Sequence, residues 1–535
     1  MQPMNRDFSK LENQSFDVLV CGGGIYGAWT AYDAALRGLK VALVDKGDWA
    51  SATSSASSKL IHGGLRYLES LDFRVVKKSL RERQMLMKAA PHRVWPLRFG
   101  IPVFKKGRLG GLRLKAGLIL YDLLAGIGMA NAKHCHFSRA EFAEHFPYLD
   151  PSLLLNGFTY LDAQTDDARF VLELIDGALA AGAVCLNYCE VTDFVEQGQL
   201  KTAQVVDKIS GRVGRVFAKQ VVNVTGQWIA ATEMGQHWCR LTKGVHLIMP
   251  RILISEALLL RAQKDGRVFF MIPWYGLTLL GTTDTDYSGD FDQVKVEKDD
   301  IDYLLNEANR VLKSVNWTEA DIIGQYAGLR VLKNRTTASP SAVSRDWELK
   351  IAENGHLLSI GGKFTSARED AATIVDTVCT NLSIHATCKT FGRRFPWIPD
   401  AGFNKWSESV MSQAAKLNID EESAFWLIRR HGSRVADIFD LIEGNPGWAK
   451  RIIDTLPFII ADLVFSAENE MVVHLEDLLR RRTPLLILAK MTPAELTELA
   501  ELVADVMNWD EVTIKEEVEV CCQNSSFIRF PLSRP

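Results

Sequence analysis

The chain has 535 residues, of which 47% are hydrophobic and 24% charged; this is the balance of a packed protein of about two to four domains and excludes a mainly disordered chain. With 62 basic and 65 acidic residues the net charge is −3, which argues against a general nucleic-acid binder. Nine cysteines scattered over this length form no dense framework and point to a reducing compartment.

The first fifteen residues are polar and lack the apolar core of a secretory signal, so a cytoplasmic address is expected. Residues 16–21 are mostly apolar, the pattern of a strand buried on both faces, and run straight into Gly22, Gly23, Gly24 and Gly27. Residues 25–37 suit a helix with Gly38 as its C-cap, and 40–44 form a second apolar strand ending at Asp45. This is a complete βαβ unit. Gly22, Gly24 and Gly27 spell G-x-G-x-x-G: the first makes the tight turn, the second lets a pyrophosphate approach the backbone, and the third lets helix and strand pack closely. Phosphate charge then meets the free N–H groups of the helix N-terminus, and the Asp45 carboxylate can accept hydrogen bonds from a ribose diol.

The glycines alone do not decide between NAD and FAD. Residues 52–67, A-T-S-S-A-S-S-K-L-I-H-G-G-L-R-Y, offer many donors and little bulk, which suits a backbone lying against a flat ring and a long phosphate-bearing ligand; a plain serine-rich loop has the same composition. From 59 to 115, Lys and Arg outnumber Asp and Glu five to one, so this part should attract anions. Within it, 105–124 sets Lys105, Lys106, Arg108, Arg113 and Lys115 beside Leu109, Leu112, Leu114, Leu118, Ile119 and Leu120, a pattern that can lie in an anionic lipid surface or form an internal helix beside a solvated basic loop. The apolar run 116–130 carries Asp122 and is too short to span a bilayer at about 20 residues.

His134, Cys135 and His136 are adjacent, cannot easily face one ion together, and have no second cluster with them, so no metal site is expected. Cys185, Cys189, Cys521 and Cys522 read as packing residues. Further β-rich stretches fall at 184–194, 214–224, 245–254, 268–281 and 356–360, with helical patterns between. After about Phe395 the texture turns amphipathic and helical, which places a domain boundary there; Thr492, Pro493 and Glu495 mark one later helix start as N-cap, first-turn proline and capping-box glutamate.

At the 52–67 loop the sequence resembles the FAD-dependent glycerol-3-phosphate dehydrogenase and oxidase family, within the glycine-oxidase-like flavoproteins. The likeness continues through N-V-T-G-Q-W (223–228), K-G-V-H (243–246), I-P-W (272–274), G-T-T-D (281–284), G-L-R (328–330), R-D-W (345–347) and G-G-K-F-T (361–365), and faintly through R-H-G-S (430–433) and R-R-R-T (480–483). Asp45, Val331, Val245, Gln227 and Ala367 depart from the family's commoner glutamate, proline, serine, proline and tyrosine.

The resemblance implies an α/β and α+β protein: a Rossmann-type FAD-binding domain, a β-sheet substrate domain and a C-terminal helical domain. The oxidoreductase region would cover 15–395, with FAD-binding parts at about 15–105, 155–245 and 325–380 and substrate-domain insertions at about 106–154 and 246–324; the helical domain would cover 396–535. It further implies oxidation of sn-glycerol 3-phosphate, a phosphorylated polyol, to dihydroxyacetone phosphate. Electrons would pass to a quinone, or in oxidase relatives to oxygen, from a peripheral position on the inner face of a membrane, and a homodimer is expected. FAD would be held by Gly22, Gly24, Ile25, Gly27, Asp45, Lys46, Thr53, Ser54, Ser58, Lys59, Leu60, His62 and Gly63, and by Gly226, Trp228, Gly362, Lys363, Phe364 and Thr365.

Oxidising a secondary alcohol sends hydride to the flavin and the hydroxyl proton to a base. His62 is the first choice for that base, and His246, in an apolar strand, the second. Arg330 supplies fixed positive charge. Arg66, Tyr67 and Lys363, with Lys243 and Arg345 behind them, are expected to meet the phosphate. Two other readings stand beside this one: a flavin enzyme for another hydroxyl or amine substrate, and a non-enzymatic FAD-binding scaffold or sensor.

Overall fold

The computed structural model describes residues 3–68, 72–105, 111–125, 133–197, 200–253, 255–334 and 346–524. Two sheets organise them. The first has eight strands with the central order Glu348–Ile351, Leu357–Ile360, Val213–Asn223, Gln14–Cys21, Val41–Val44, Val184–Leu186, parallel except for the first. Its middle strand is apolar on both faces because both are covered: Val18 and Val20 pack on helices, and Leu19 packs on the antiparallel strands Cys189–Gln197 and Leu200–Asp207 with Phe8 and Leu11. Helix Ile25–Leu36 lies between helices Asp167–Ala180 and Ala367–Asn381; Trp29 meets Phe170 and Phe395 edge-on at 6.0 and 5.6 Å, which closes this core.

The second sheet has ten strands and is mainly antiparallel, with Cys239–Met249 paired to both Leu277–Gly281 and Gly324–Lys333. Strands Val94–Phe104, Leu154–Thr165, Cys239–Met249 and Gly324–Lys333 all belong to it. Of the stretches expected above in FAD-binding parts, 94–104, 155–165, 239–245 and 325–333 belong to this second sheet. An apolar strand pattern reports burial, and it does not report which sheet does the burying.

The helical part begins with Phe403–Lys416, and Thr492 does cap helix Pro493–Met507 with a reciprocal Glu495 bond. It is not a separate layer. Trp426 stacks on Tyr275 of the substrate sheet at 3.9 Å, and Trp95, Phe458 and Leu479 share one apolar cluster. Buried ion pairs cross the same seam: Arg169 with Glu470, and Arg481 and Arg482 with Asp48. Each leaves a full charge buried if its partner is removed.

Among the described residues no helix is long and apolar enough to cross a membrane. Helix Gly111–Ala125 buries Leu114, Leu118 and Tyr121 and leaves Leu112 (86%), Leu123 (71%) and Ile119 (44%) exposed.

Candidate functional site

The first sheet delivers its glycine turn, and the second its paired strands, to one cavity of about 470 Å3 that runs from Val191 past Gly22 and Gly24 to Arg330 and Lys363. The glycines are placed by sterics. A Cβ on Gly24 would stand 2.9 Å from Ser54 Oγ, and one on Gly22 2.7 Å from the Val224 carbonyl oxygen. Gly27 does not line the cavity; a Cβ there would lie 1.7 Å from the Gly22 carbonyl oxygen, so it is the packing glycine that the spacing predicts. Ile25 N–H donates to Ser54 Oγ at 2.9 Å, which ties the serine-rich loop to the start of the helix. The Asp45 carboxylate accepts from Gly23 N at 2.5 Å and Gly47 N at 2.8 Å, and burial pushes it up to about 6.

Lys46, Thr53, Ser54, Ser58, Leu60, His62, Gly226, Trp228, Gly362, Lys363, Phe364 and Thr365 all line this cavity, as does Tyr67. Thr53 Oγ1 donates to the Leu329 carbonyl at 2.7 Å. Lys46 sits 4.4 Å over the Trp228 ring, with both side chains bonded to Asp292. Gly362 has a φ of +98°, and a Cβ there would meet Tyr26 OH at 1.7 Å; that hydroxyl accepts from Lys363 N and donates to Asp370. A long dinucleotide cradle with this glycine lining fits FAD.

At the Arg330 end, the strand register explains the shape. Gly244 is paired with Gly328, and the room left by their missing side chains is taken by the Arg330 guanidinium and by Ala56. Arg330 lies against Gly244 and donates to Thr282 Oγ1 at 2.7 Å and to the Thr283 carbonyl at 3.1 Å, with Asp284 at 3.2 Å. His62 N–H donates to Thr365 Oγ1 at 3.1 Å, and the Lys363 ammonium lies 3.6 Å from the Tyr67 ring centre. His246 also faces the cavity: its Nε2 meets Ser58 Oγ at 2.9 Å and its ring stacks on Tyr326 at 4.9 Å. Burial, and then Arg330 and Lys59, hold its pKa well below the ordinary histidine range, so it is neutral near pH 7.

Besides Gly27, three expected site residues are elsewhere. Lys243 alternates with Gly244 and His246 along the strand, so it points to the other face, where Asp300 at 2.8 Å and Glu297 hold its ammonium. Lys59 is turned away from the cavity and buried against Asp167 at 2.5 Å and the Ser55 carbonyl at 2.7 Å; Asp167 also accepts from Ser57, so the pair sets the loop rather than a ligand. Gly63 packs under Leu80 and Tyr121, each 2.4 Å from where its Cβ would be. Arg345 and the Arg66 side chain lie outside the described residues. Sequence reasoning passed over Tyr26, Gly244 and Gly328; the last two were readable from the period-2 alternation G-x-H and G-x-R on two strands.

A parallel sheet with a glycine turn, joined to an antiparallel sheet that closes one shared cleft, defines an FAD-dependent oxidoreductase. A family model described as FAD dependent oxidoreductase matches residues 17–348, and one described as the C-terminal domain of alpha-glycerophosphate oxidase matches 398–514. The chain belongs to this family, and within it to the branch of the glycerol-3-phosphate dehydrogenases. A glycerol-3-phosphate dehydrogenase of Synechocystis is 34% identical over 542 residues, covering 96% of this chain and 97% of that one. An aerobic glycerol-3-phosphate dehydrogenase of Staphylococcus saprophyticus is 34% identical, covering 88% of this chain and 87% of that one. The crystal structure of the Bacillus halodurans glycerol-3-phosphate dehydrogenase, complexed with FAD, is similar with a TM-score of 0.79 at 27% identity, covering 99% of this chain and 98% of that one.

Proposed function

We propose that the chain oxidises sn-glycerol 3-phosphate to dihydroxyacetone phosphate and passes the electrons to a membrane quinone. The observation that carries this reading is the meeting of His62, Arg330, Lys363 and Tyr67 on the walls of one glycine-lined cavity, in a chain alike to glycerol-3-phosphate dehydrogenases over nearly its whole length. When bound, FAD supplies a two-electron acceptor for the hydride that leaves the carbinol carbon.

His62 takes the hydroxyl proton, because an imidazole has the right basicity near neutral pH. Arg330, held in place by Thr282, Thr283 and Asp284, stabilises negative charge developing on the substrate oxygen. Lys363 and Tyr67 hold the phosphate dianion, a role the sequence also assigns to Arg66 and Arg345. His246 is kept neutral by burial and orients Ser58 against the ligand. The exposed Leu112, Ile119 and Leu123 lie on a helix that also exposes Arg113 and Lys115; leucines entering lipid while cations meet anionic headgroups would seat the enzyme on the inner membrane face, within reach of quinone.

Anaerobic titration of the purified yellow protein with glycerol 3-phosphate tests the proposal. Bleaching of the flavin band at one equivalent is expected, with little response to glycerol. A protein bleached equally well by unphosphorylated alcohols, or by none, refutes it. The acceptor is tested separately by comparing reoxidation by a short-chain quinone and by oxygen.

A further inference from the structure

A second cavity of about 680 Å3 shares the wall formed by Ser51, Thr53 and Ala56 with the dinucleotide cavity, and its opposite side is built by the C-terminal part through His474 and Arg480. Its lining carries Lys46, Lys208, His474 and Arg480; Lys46 is paired with Asp292, Lys208 with Glu190 at 3.8 Å and His474 with Glu517, which leaves Arg480 as the lining cation without a carboxylate among the described residues.

Arg480 is the telling residue. It opens the run Arg480, Arg481, Arg482, and its two neighbours are fully engaged. Arg481 bonds Asp48 and Asp477 at 2.6 Å each, and Arg482 bonds Asp48 at 2.5 and 2.9 Å. Among the described residues Arg480 has neither a hydrogen bond nor an ion pair; it lies half-buried, 5.5 Å from the centre of the Tyr326 ring. A half-buried guanidinium that faces a cavity with its five donors unused by the protein is placed to meet an anion. His474 is held toward its charged form by Glu517, at 2.7 Å, and Trp228, Phe291 and Tyr188 provide flat walls for an organic body.

We propose that this cavity binds a phosphate-bearing small molecule, gripped by Arg480 with Lys208 and His474 at a place separate from the substrate's. Arg480 leans on Tyr326, whose hydroxyl donates to the Ser57 carbonyl at 2.7 Å and whose ring stacks on His246. Occupancy therefore braces the loop that walls the dinucleotide cavity, and the ligand acts as an effector that strengthens FAD retention. The inference stands without the choice of glycerol 3-phosphate as substrate.

The test is calorimetric titration of the FAD-loaded, oxidised protein, in which the dinucleotide's own phosphates are already seated. The probes are inorganic phosphate and adenosine 5′-monophosphate. Phosphate is expected to bind at two places in the wild type, the substrate's phosphate pocket and this cavity; Arg480→Gln weakens the second at least tenfold and spares the first, and Lys363→Met, which removes a cation of the substrate pocket, does the reverse. Tighter binding of the nucleotide assigns an organic phosphate as occupant, and equal binding assigns free phosphate. Should Arg480→Gln misfold, the exposed Lys208→Gln variant carries the test, with a loss of about three- to fivefold expected. Absence of binding in the wild type, or a single site that is lost in Lys363→Met and kept in Arg480→Gln, overturns the proposal.

Discussion

Gly27→Ala adds one methyl group at the point where the first helix crosses the glycine turn. Its carbon would lie 1.7 Å from the Gly22 carbonyl oxygen, and real contacts of this kind do not fall under 3.0 Å, so backbone must retreat by about 1.3 Å. The obstacle is the turn itself and not a rotatable side chain, so the displacement falls on the N–H groups that would face the pyrophosphate. Overpacking of this kind costs about 1–3 kcal/mol, which corresponds to a loss of about 5- to 150-fold if it is all relieved at the expense of FAD binding. Gly117→Ala is the control: nothing lies within 4 Å of its added carbon, and alanine in place of a mid-helix glycine should stabilise by about 0.5–1 kcal/mol. The assay is fluorescence titration of each apoprotein with FAD, alongside thermal unfolding. If Gly27→Ala binds FAD as tightly as the wild type, the assignment of this turn to the dinucleotide fails.

Other outcomes follow from the same geometry. His62→Ala should keep FAD and slow flavin reduction by about 100- to 10,000-fold in stopped-flow; unchanged reduction removes it as the base. Asp45 titrates near 6 in the ligand-free site, and a ribose hydroxyl donating to it favours the ionised form and lowers that value, so FAD binding expels a proton below pH 6. Affinity should therefore level off above pH 6 and fall as the pH drops through it, by up to about tenfold per unit; a flat profile from pH 5 to 7 contradicts this. Asp167→Ala strands the buried Lys59 ammonium and should cost about 3–5 kcal/mol in denaturant unfolding, with much of it regained by adding Lys59→Met. Lys243→Ala should leave KM for the phosphorylated substrate within about twofold, because Asp300 and Glu297 hold that ammonium on the far face of its strand; a large rise in KM would restore it to the pocket.

The dinucleotide half was legible because its signal is local: strand, glycine turn, helix and acidic strand end all fall within residues 14–45. His62, Arg330 and Lys363 were singled out through motif likeness, and all three line the cavity. Where reading failed, the deciding partner was distant. Nothing near Lys59 announces Asp167, and nothing near Asp48 announces Arg481 and Arg482. Lys243 is a different failure, since alternation with Gly244 and His246 already excluded it from their face. The division of strands between the two sheets was not readable either, because the long strands of the second sheet arrive from four separate stretches of chain.

The seam between the oxidoreductase region and the helices after residue 396 also governs how the molecule is made. While a ribosome is still producing the residues after 396, Tyr275 and Trp95 have no Trp426 to cover them, and Arg169 waits for Glu470. The nascent chain thus spends its synthesis with a sticky, charge-frustrated flank, and holding chaperones would find their target there. The native seam can close only once Trp426 and Glu470 have been translated.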